Sequence, residues 1–226
     1  MKKNYTHITL LVDRSGSMDI IRDDSQGGIN HFIRTHKEAP GQCTFSLYQF
    51  DNVFETVYSP RNISLVEGYT LVPRNSTALL DSQMKAIQLT GDYLRELPEE
   101  QRPEKVIFLT VTDGQENAST EFAGKSHLVK AKVKEQESKY NWEFIYIGAN
   151  QDAFAVGQSL GITRTTTYAG TGISTAAMYA NVASSTLNSR ATGADSSAFL
   201  ASTVTSDGHL VFDNKNEEDN TNGDNK

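Results

Sequence analysis

The feature that most constrains this chain is an alternation, over its first two thirds, of short apolar β-rich runs with segments of helical period. Residues 6–12 (THITLLV), 43–50 (CTFSLYQF), 106–111 (VIFLTV) and 142–147 (WEFIYI) are strand-length runs, the third flanked by polar residues as a strand covered on both faces would be. Between them, residues 20–37 carry a rough helical stripe of Ile20, Ile21, Ile29, Phe32 and Ile33, interrupted by Gly27 and Gly28. Residues 78–97 set Leu79, Leu80, Met84, Ile87 and Leu94 along one helical face, and a further amphipathic stretch runs over 122–140. This order predicts an α/β fold: a doubly wound, mostly parallel, Rossmann-like sheet with helices on both faces. The run 53–58 (VFETVY) follows 43–50 across Asp51-Asn52, a tight hairpin, so one edge strand should be antiparallel.

The texture changes at Gly161. Residues 1–161 read as the domain core, and 162–212 as an Ala/Ser/Thr-rich helical extension packed on it, with Ile173, Ala176, Ala177, Ala180, Ala183 and Leu187 at helical spacing and a looser part after them. Residues 213–226 hold five acids, two lysines and five asparagines with no apolar side chain, so they read as a disordered tail that is dispensable for the site.

Composition removes several function classes. The net charge of −7 and the scatter of 21 lysines and arginines among 28 acids argue against nucleic acid and against an anionic membrane surface. The apolar run near the start is too short for a signal peptide or a membrane span. Cys43 is the lone cysteine, which excludes an intrachain disulfide and a thiolate zinc site and suits a soluble, cytoplasmic protein. Cys43 itself reads as a small buried hydrophobe.

Three separated pieces carry the chemistry. Asp13-Arg14-Ser15-Gly16-Ser17 follows the first strand, Thr77 stands where the helix over 78–97 begins, and Asp113-Gly114 follows the strand at 106–111. In an open parallel sheet the carboxyl ends of neighbouring strands share one rim, so residues a hundred apart in sequence can meet there. Two carboxylates and three hydroxyls form an all-oxygen set, which suits the hard cations Mg²⁺, Mn²⁺ or Ca²⁺ and suits zinc poorly. With only two carboxylates on the protein side, such an ion would attract a further carboxylate from elsewhere.

Together these pieces resemble the metal-ion-dependent adhesion site of von Willebrand factor A domains, read here as Asp13-Arg14-Ser15-Gly16-Ser17, Thr77 in NSTALLD and Asp113 in TVTDGQEN. The resemblance spans residues 6–161 and is similar to the small soluble bacterial and phage members, whose motifs read DRSGSM, PRGSTALLD and TDGEENAS. Asn75 stands where glycine is common, and Gln115 replaces one acid. The resemblance implies that Ser15, Ser17 and Thr77 touch the metal through hydroxyls, while Asp13 and Asp113 hold it directly or through water. It further implies a non-enzymatic adaptor or assembly module that grips an Asp or Glu of a partner protein through the metal. Gly16 is expected to allow a tight turn between the two serines.

Other residues have plainer readings. Asp19, Asp23 and Asp24 suit the positive end of a helix dipole better than a second calcium site. His31 and His36 read as surface or packing residues of the first helix. Glu116 and Asn117 lie on the expected rim, either as partner contacts or as a solvated loop; Asn150 and Asp152 are further rim candidates; Arg14 is expected to face the rim or solvent, free to select an anionic partner. A Mg²⁺-dependent phosphotransferase or phosphatase of haloacid-dehalogenase type would also place an aspartate after the first strand. It would need a second aspartate two residues on, where this chain has Ser15. A structural part of a phage or bacterial assembly is the third class, which the sequence does not separate from an adaptor.

Overall fold

The computed structural model describes residues 1–149, 153–194 and 201–212. Asn150, Asp152 and the stretch 213–226 lie outside the described residues. The chain runs β1 (Lys2–Asp13), α1 (Arg22–Glu38), β2 (Gln42–Phe50), β3 (Phe54–Asn62), α2 (Leu79–Glu96), β4 (Pro103–Thr112), α3 (Ser126–Tyr140), β5 (Trp142–Ala149), α4 (Ala153–Ser159), β6 (Arg164–Tyr168), α5 (Gly172–Thr192), β7 (Ala201–Val204) and β8 (Leu210–Phe212). A short 3-10 turn, Gly16–Ile21, leads from β1 into α1.

The strands form one sheet in the order β3-β2-β1-β4-β5-β6-β7-β8. All neighbours are parallel except β2 with β3 and β7 with β8. The expected doubly wound sheet and the antiparallel hairpin edge are both present, and a second antiparallel strand closes the other edge. Residues 162–212, expected as a helical extension, add β6, β7 and β8 to the sheet as well as the long helix α5. β6 is RTTTY, whose threonines are good strand residues because their branched side chains pack on a pleated surface, although they carry little apolar signal.

The two faces of the sheet bury separate cores. On one, Ile8, Leu10, Val12, Ile107, Leu109, Val111, Ile145 and Ile147 pack with residues of α1 and α5; on the other, Leu11, Phe108, Phe144 and Tyr146 pack with residues of α2, α3 and α4. α1 runs unbroken through Gly27 and Gly28, and Gly28 is what lets it approach α5: a Cβ there would stand 2.0 Å from the Tyr179 ring. α5 buries a different face from the one its apolar spacing suggests. Its inward residues include Ser174, Thr175, Met178, Tyr179, Val182, Ala183, Thr186 and Ser189, while Ile173 is exposed. Small hydroxyl side chains pack closely there and bond locally, as Thr186 Oγ1 does to the Val182 carbonyl at 2.7 Å.

This topology positions the site. From β1 the chain crosses through α1 to β2 on one side, then through α2 to β4 on the other, so β1 and β4 flank the point where strand order reverses. That is where an open α/β sheet leaves a crevice beyond its carboxyl ends. Val12 pairs with Val111, which brings the last residues of β1 and β4 to one level.

Candidate metal centre

Asp13 is the last residue of β1 and has no exposed surface. Its Oδ1 accepts from the Ser15 backbone N–H at 2.6 Å and its Oδ2 from the Thr112 hydroxyl at 2.6 Å. Sequence reading missed Thr112, although the alternation TVT put it on the same face as Thr110 and toward α2. The Ser15 and Ser17 hydroxyls lie 3.1 Å apart, and Ser17 donates to Asp113 Oδ1 at 2.8 Å. Thr77 is buried one residue before Ala78, the N-cap of α2. A Cβ built on Gly114 would meet Thr77 Oγ1 at 2.8 Å, Asp13 Oδ2 at 3.3 Å and Ser15 Oγ at 3.3 Å. The absent side chain therefore marks a small space onto which three of the five candidate oxygens converge, with Ser17 and Asp113 joined to Ser15 by the hydrogen-bond chain. All five residues named from the sequence are brought together.

The electrostatics suit a bound cation. Burial pushes the Asp13 carboxyl up to about 6, against the lowering effect of the Thr112 and Ser15 hydrogen bonds, and the Asp113 charge adds to the rise. Burial also raises Asp113, against the hydrogen bond from Ser17. Two crowded, partly desolvated carboxylates beside the Ser15, Ser17 and Thr77 hydroxyl oxygens form a donor set that a divalent cation fits, since its charge would favour both ionised forms.

Several neighbours have roles other than those expected. Arg14 points inward: it is buried, and its guanidinium pairs with Asp51 at 3.2 Å and Glu55 at 2.6 Å. Arg74 pairs with the same two acids at 2.6 and 2.8 Å. The Arg14 hydrogen bond holds Glu55 down to about 2; burial raises Asp51, but the Arg74 and Val53 hydrogen bonds and the two arginine charges bring it below the usual range. The quartet locks the loop after β1, the β2–β3 turn and the segment before α2, so Arg14 is not free to select an anion. Asn75 has φ +60°, a left-handed conformation that Asn tolerates and Gly favours. Gly16 has no such φ; its N–H donates to the Asn75 carbonyl at 3.0 Å, so its part is close approach rather than an unusual turn. Glu116 and Asn117 are both engaged within the chain: Glu116, half-buried, accepts from the Leu80 N–H at the start of α2, and Asn117, although exposed, accepts from the Thr77 N–H.

Asp19 and Asp23 are exposed and pair with Arg22 at 3.6 and 2.9 Å, and Asp23 and Asp24 sit in the first turn of α1, in line with a helix-dipole role. His31 is exposed, whereas His36 is buried between Thr186 Oγ1 at 2.9 Å and Arg190 at 2.8 Å. Cys43 is buried, and that burial pushes its thiol up to about 11.

No protein-family model and no curated protein sequence matches the chain. Solved structures do. A von Willebrand factor type A protein from Catenulispora acidiphila superimposes with a TM-score of 0.55 at 12% identity, over 82% of this chain and 43% of that one. The vWF domain of the type V pilus tip protein Mfa5 from Porphyromonas gingivalis gives 0.53 at 13% identity, over 81% of this chain and 95% of that one. Proximal thread matrix protein 1 from the mussel byssus, solved with a zinc-occupied MIDAS motif, gives 0.53 at 16% identity, over 83% of this chain and 47% of that one. The chain thus spans under half the length of the Catenulispora and mussel proteins. No helix among the described residues is long and apolar enough to cross a membrane. From its strand order, its switch point and these likenesses, the chain has the fold of a von Willebrand factor A domain.

Proposed function

We propose that the chain is a non-enzymatic, cation-dependent protein-interaction module in which Asp13, Ser15, Ser17, Thr77 and Asp113 hold one divalent ion. The observation that carries this reading is the convergence of those five side chains at the crevice between β1 and β4, around the space Gly114 leaves open. Mg²⁺ is the first candidate, with Mn²⁺ and Ca²⁺ as alternatives, because every donor is oxygen. The mussel protein was solved with zinc in its MIDAS motif, so zinc belongs in the test. When bound, the ion would supply a coordination position for an Asp or Glu carboxylate of a partner. The residues of this chain would do the rest: Asp13 and Asp113 counter its charge, and the three hydroxyls orient it. That the similar domains come from a pilus tip and a thread matrix protein supports a role in assembly. The position two residues beyond Asp13 offers only the Ser15 hydroxyl, engaged with Ser17, and so supports binding over phosphoryl transfer.

Calorimetry with Mg²⁺, Mn²⁺, Ca²⁺ and Zn²⁺ tests the ion, and copurification with and without EDTA tests the partner. Wild type should take up Mg²⁺ or Mn²⁺ with modest affinity, and Asp13→Ala should not. Thr77→Ala removes one hydroxyl and no charge, so it should keep part of the Mg²⁺ affinity and lose the partner. A complex that survives EDTA, Thr77→Ala and neutralisation of every partner carboxylate would overturn the reading.

A further inference from the structure

The helix that carries Thr77 on its approach cannot cap itself. The N-cap of α2 is Ala78, which has no side-chain acceptor, and the first amides of a helix need partners from elsewhere. The Ala78 N–H finds the Asp51 carbonyl at 2.9 Å. The next partners come from the segment that follows β4. Glu116 Oε2 accepts from the Leu80 N–H at 2.8 Å, and Ser119 Oγ accepts from the Asp81 N–H at 3.1 Å. Glu116 is itself fixed, since its Oε1 accepts from the N–H groups of Ala118 and Ser119 at 3.1 and 2.8 Å and its Oε2 from the Ser119 hydroxyl at 2.7 Å. The grip is returned from the helix: the Asp81 carboxylate accepts from the N–H groups of Thr120, Glu121 and Phe122 at 2.8, 3.2 and 2.8 Å.

Asn117 completes the arrangement on Thr77 itself. Its Oδ1 accepts from the Thr77 N–H at 2.8 Å, and its own N–H, with that of Ala118, donates to the Thr77 carbonyl at 3.0 Å. Both backbone groups of Thr77 are therefore held by a segment whose other end is Asp113. Two candidate ligands 36 residues apart are tied together without reliance on a metal, and the ties come from Glu116 and Asn117, residues that would not touch the ion.

We propose that residues 114–122 act as a clasp in which Asn117 and Glu116 are positioning residues, setting the Thr77 hydroxyl against Asp113 so that the site is shaped before the cation arrives. This inference rests on the cation reading above. Groups that orient ligands from behind typically change metal affinity about 10- to 100-fold when removed.

The test compares wild type with Asn117→Ala, Asn117→Asp, Glu116→Ala, Glu116→Gln and Asp13→Ala. Amide hydrogen exchange at Thr77 and Leu80 is measured in EDTA, and Mg²⁺ and Mn²⁺ uptake by calorimetry well below each variant's melting temperature. Asn117→Ala should expose the Thr77 amide and Glu116→Ala the Leu80 amide, with Mg²⁺ affinity falling about 10- to 100-fold. Asn117→Asp keeps the acceptor for the Thr77 amide and should restore both readouts, which general destabilisation would not explain. Glu116→Gln keeps one acceptor oxygen and should fall between. Mg²⁺ affinity of Asn117→Ala within twofold of wild type, in a protein whose uptake Asp13→Ala abolishes, would overturn the clasp and leave the site standing. A wild type that takes up no cation would overturn both.

Discussion

Asp13 is the residue at which the demands of the fold and of the site diverge most. It is fully buried at the end of a central strand, yet its neighbours hold it with two hydrogen bonds to the ionised form. Burial still prevails, and the carboxyl rises from 3.8 to about 6. A carboxyl whose folded pKa lies above its unfolded value takes up a proton on folding, so the metal-free protein is penalised above pH 6 and relieved as pH falls toward 3.8. Two pH units correspond to about 3 kcal/mol, offset by roughly 1 kcal/mol for a weakened bond to Thr112. Asp13→Asn in EDTA at pH 8 should therefore raise the melting temperature by about 4–8 °C, with the gain shrinking at pH 5. A thermal scan at the two pH values measures it, and a fall at pH 8 would mean that the carboxylate stabilises the fold. Asn75 poses a simpler question. Its φ of +60° predicts that Asn75→Gly is tolerated within about 0.5 kcal/mol while Asn75→Val costs about 1–2 kcal/mol, read from urea midpoints.

At the scale of elements, the packing of α1 on α5 shows why helical period alone misleads. Gly27 and Gly28 are adjacent in the sequence and look like equal interruptions of α1. A Cβ at Gly27 meets nothing within 4 Å, whereas one at Gly28 would overlap the Tyr179 ring. Gly27→Ala should stabilise the protein by up to about 1 kcal/mol through helix propensity. Gly28→Ala has the same propensity gain but must separate two helices, a cost of about 1–3 kcal/mol or more, so its net effect should be destabilising. Chemical denaturation of the two variants should give shifts of opposite sign, and equal signs would mean that α1 and α5 are not closely apposed. The buried face of α5 had the same source of ambiguity. Its stripe is built from Ser174, Thr175, Ser185, Thr186 and Ser189 as much as from Met178, Tyr179 and Val182, so apolar spacing pointed to the wrong side of the helix.

For the molecule as a whole, stability should depend on two histidines, one in each layer. His7 lies between the sheet and α2, bonded through its ring nitrogens to Thr44 at 2.8 Å and Thr9 at 3.1 Å; His36 lies between α1 and α5. Burial pushes both down to about 3, with the Arg190 charge adding to the effect on His36. A histidine whose folded pKa is depressed stays neutral in the fold while the unfolded chain takes up its proton. Stability is then intact above the unfolded value of 6.5 and is lost as pH falls from there toward 3. Each histidine contributes about 1.4 kcal/mol per pH unit, partly opposed below pH 6 by proton uptake at Asp13. Urea midpoints should fall from pH 6.5 to 4, and because proton uptake at Asp13 cancels about one histidine below pH 6, His36→Gln should remove most of the fall there; a wild-type midpoint independent of pH in this range would mean that the histidines are not buried neutral. On the same scale, the order of strands and helices through β5 was legible in local sequence, because a strand covered on both faces and a helix covered on one leave different apolar periods. The five candidate ligands were legible because each lies beside the end of a strand or the start of a helix. What only the tertiary structure decided was the fate of side chains whose partners are remote in the chain: Arg14 turned inward to Asp51 and Glu55, Asn117 closed on Thr77 and Glu116 on the start of α2, and the threonine-rich β6 joined the sheet. A charge, an amide or a threonine carries no local sign of whether it meets water or a partner, since that depends on which distant groups the packed layers bring within hydrogen-bonding reach.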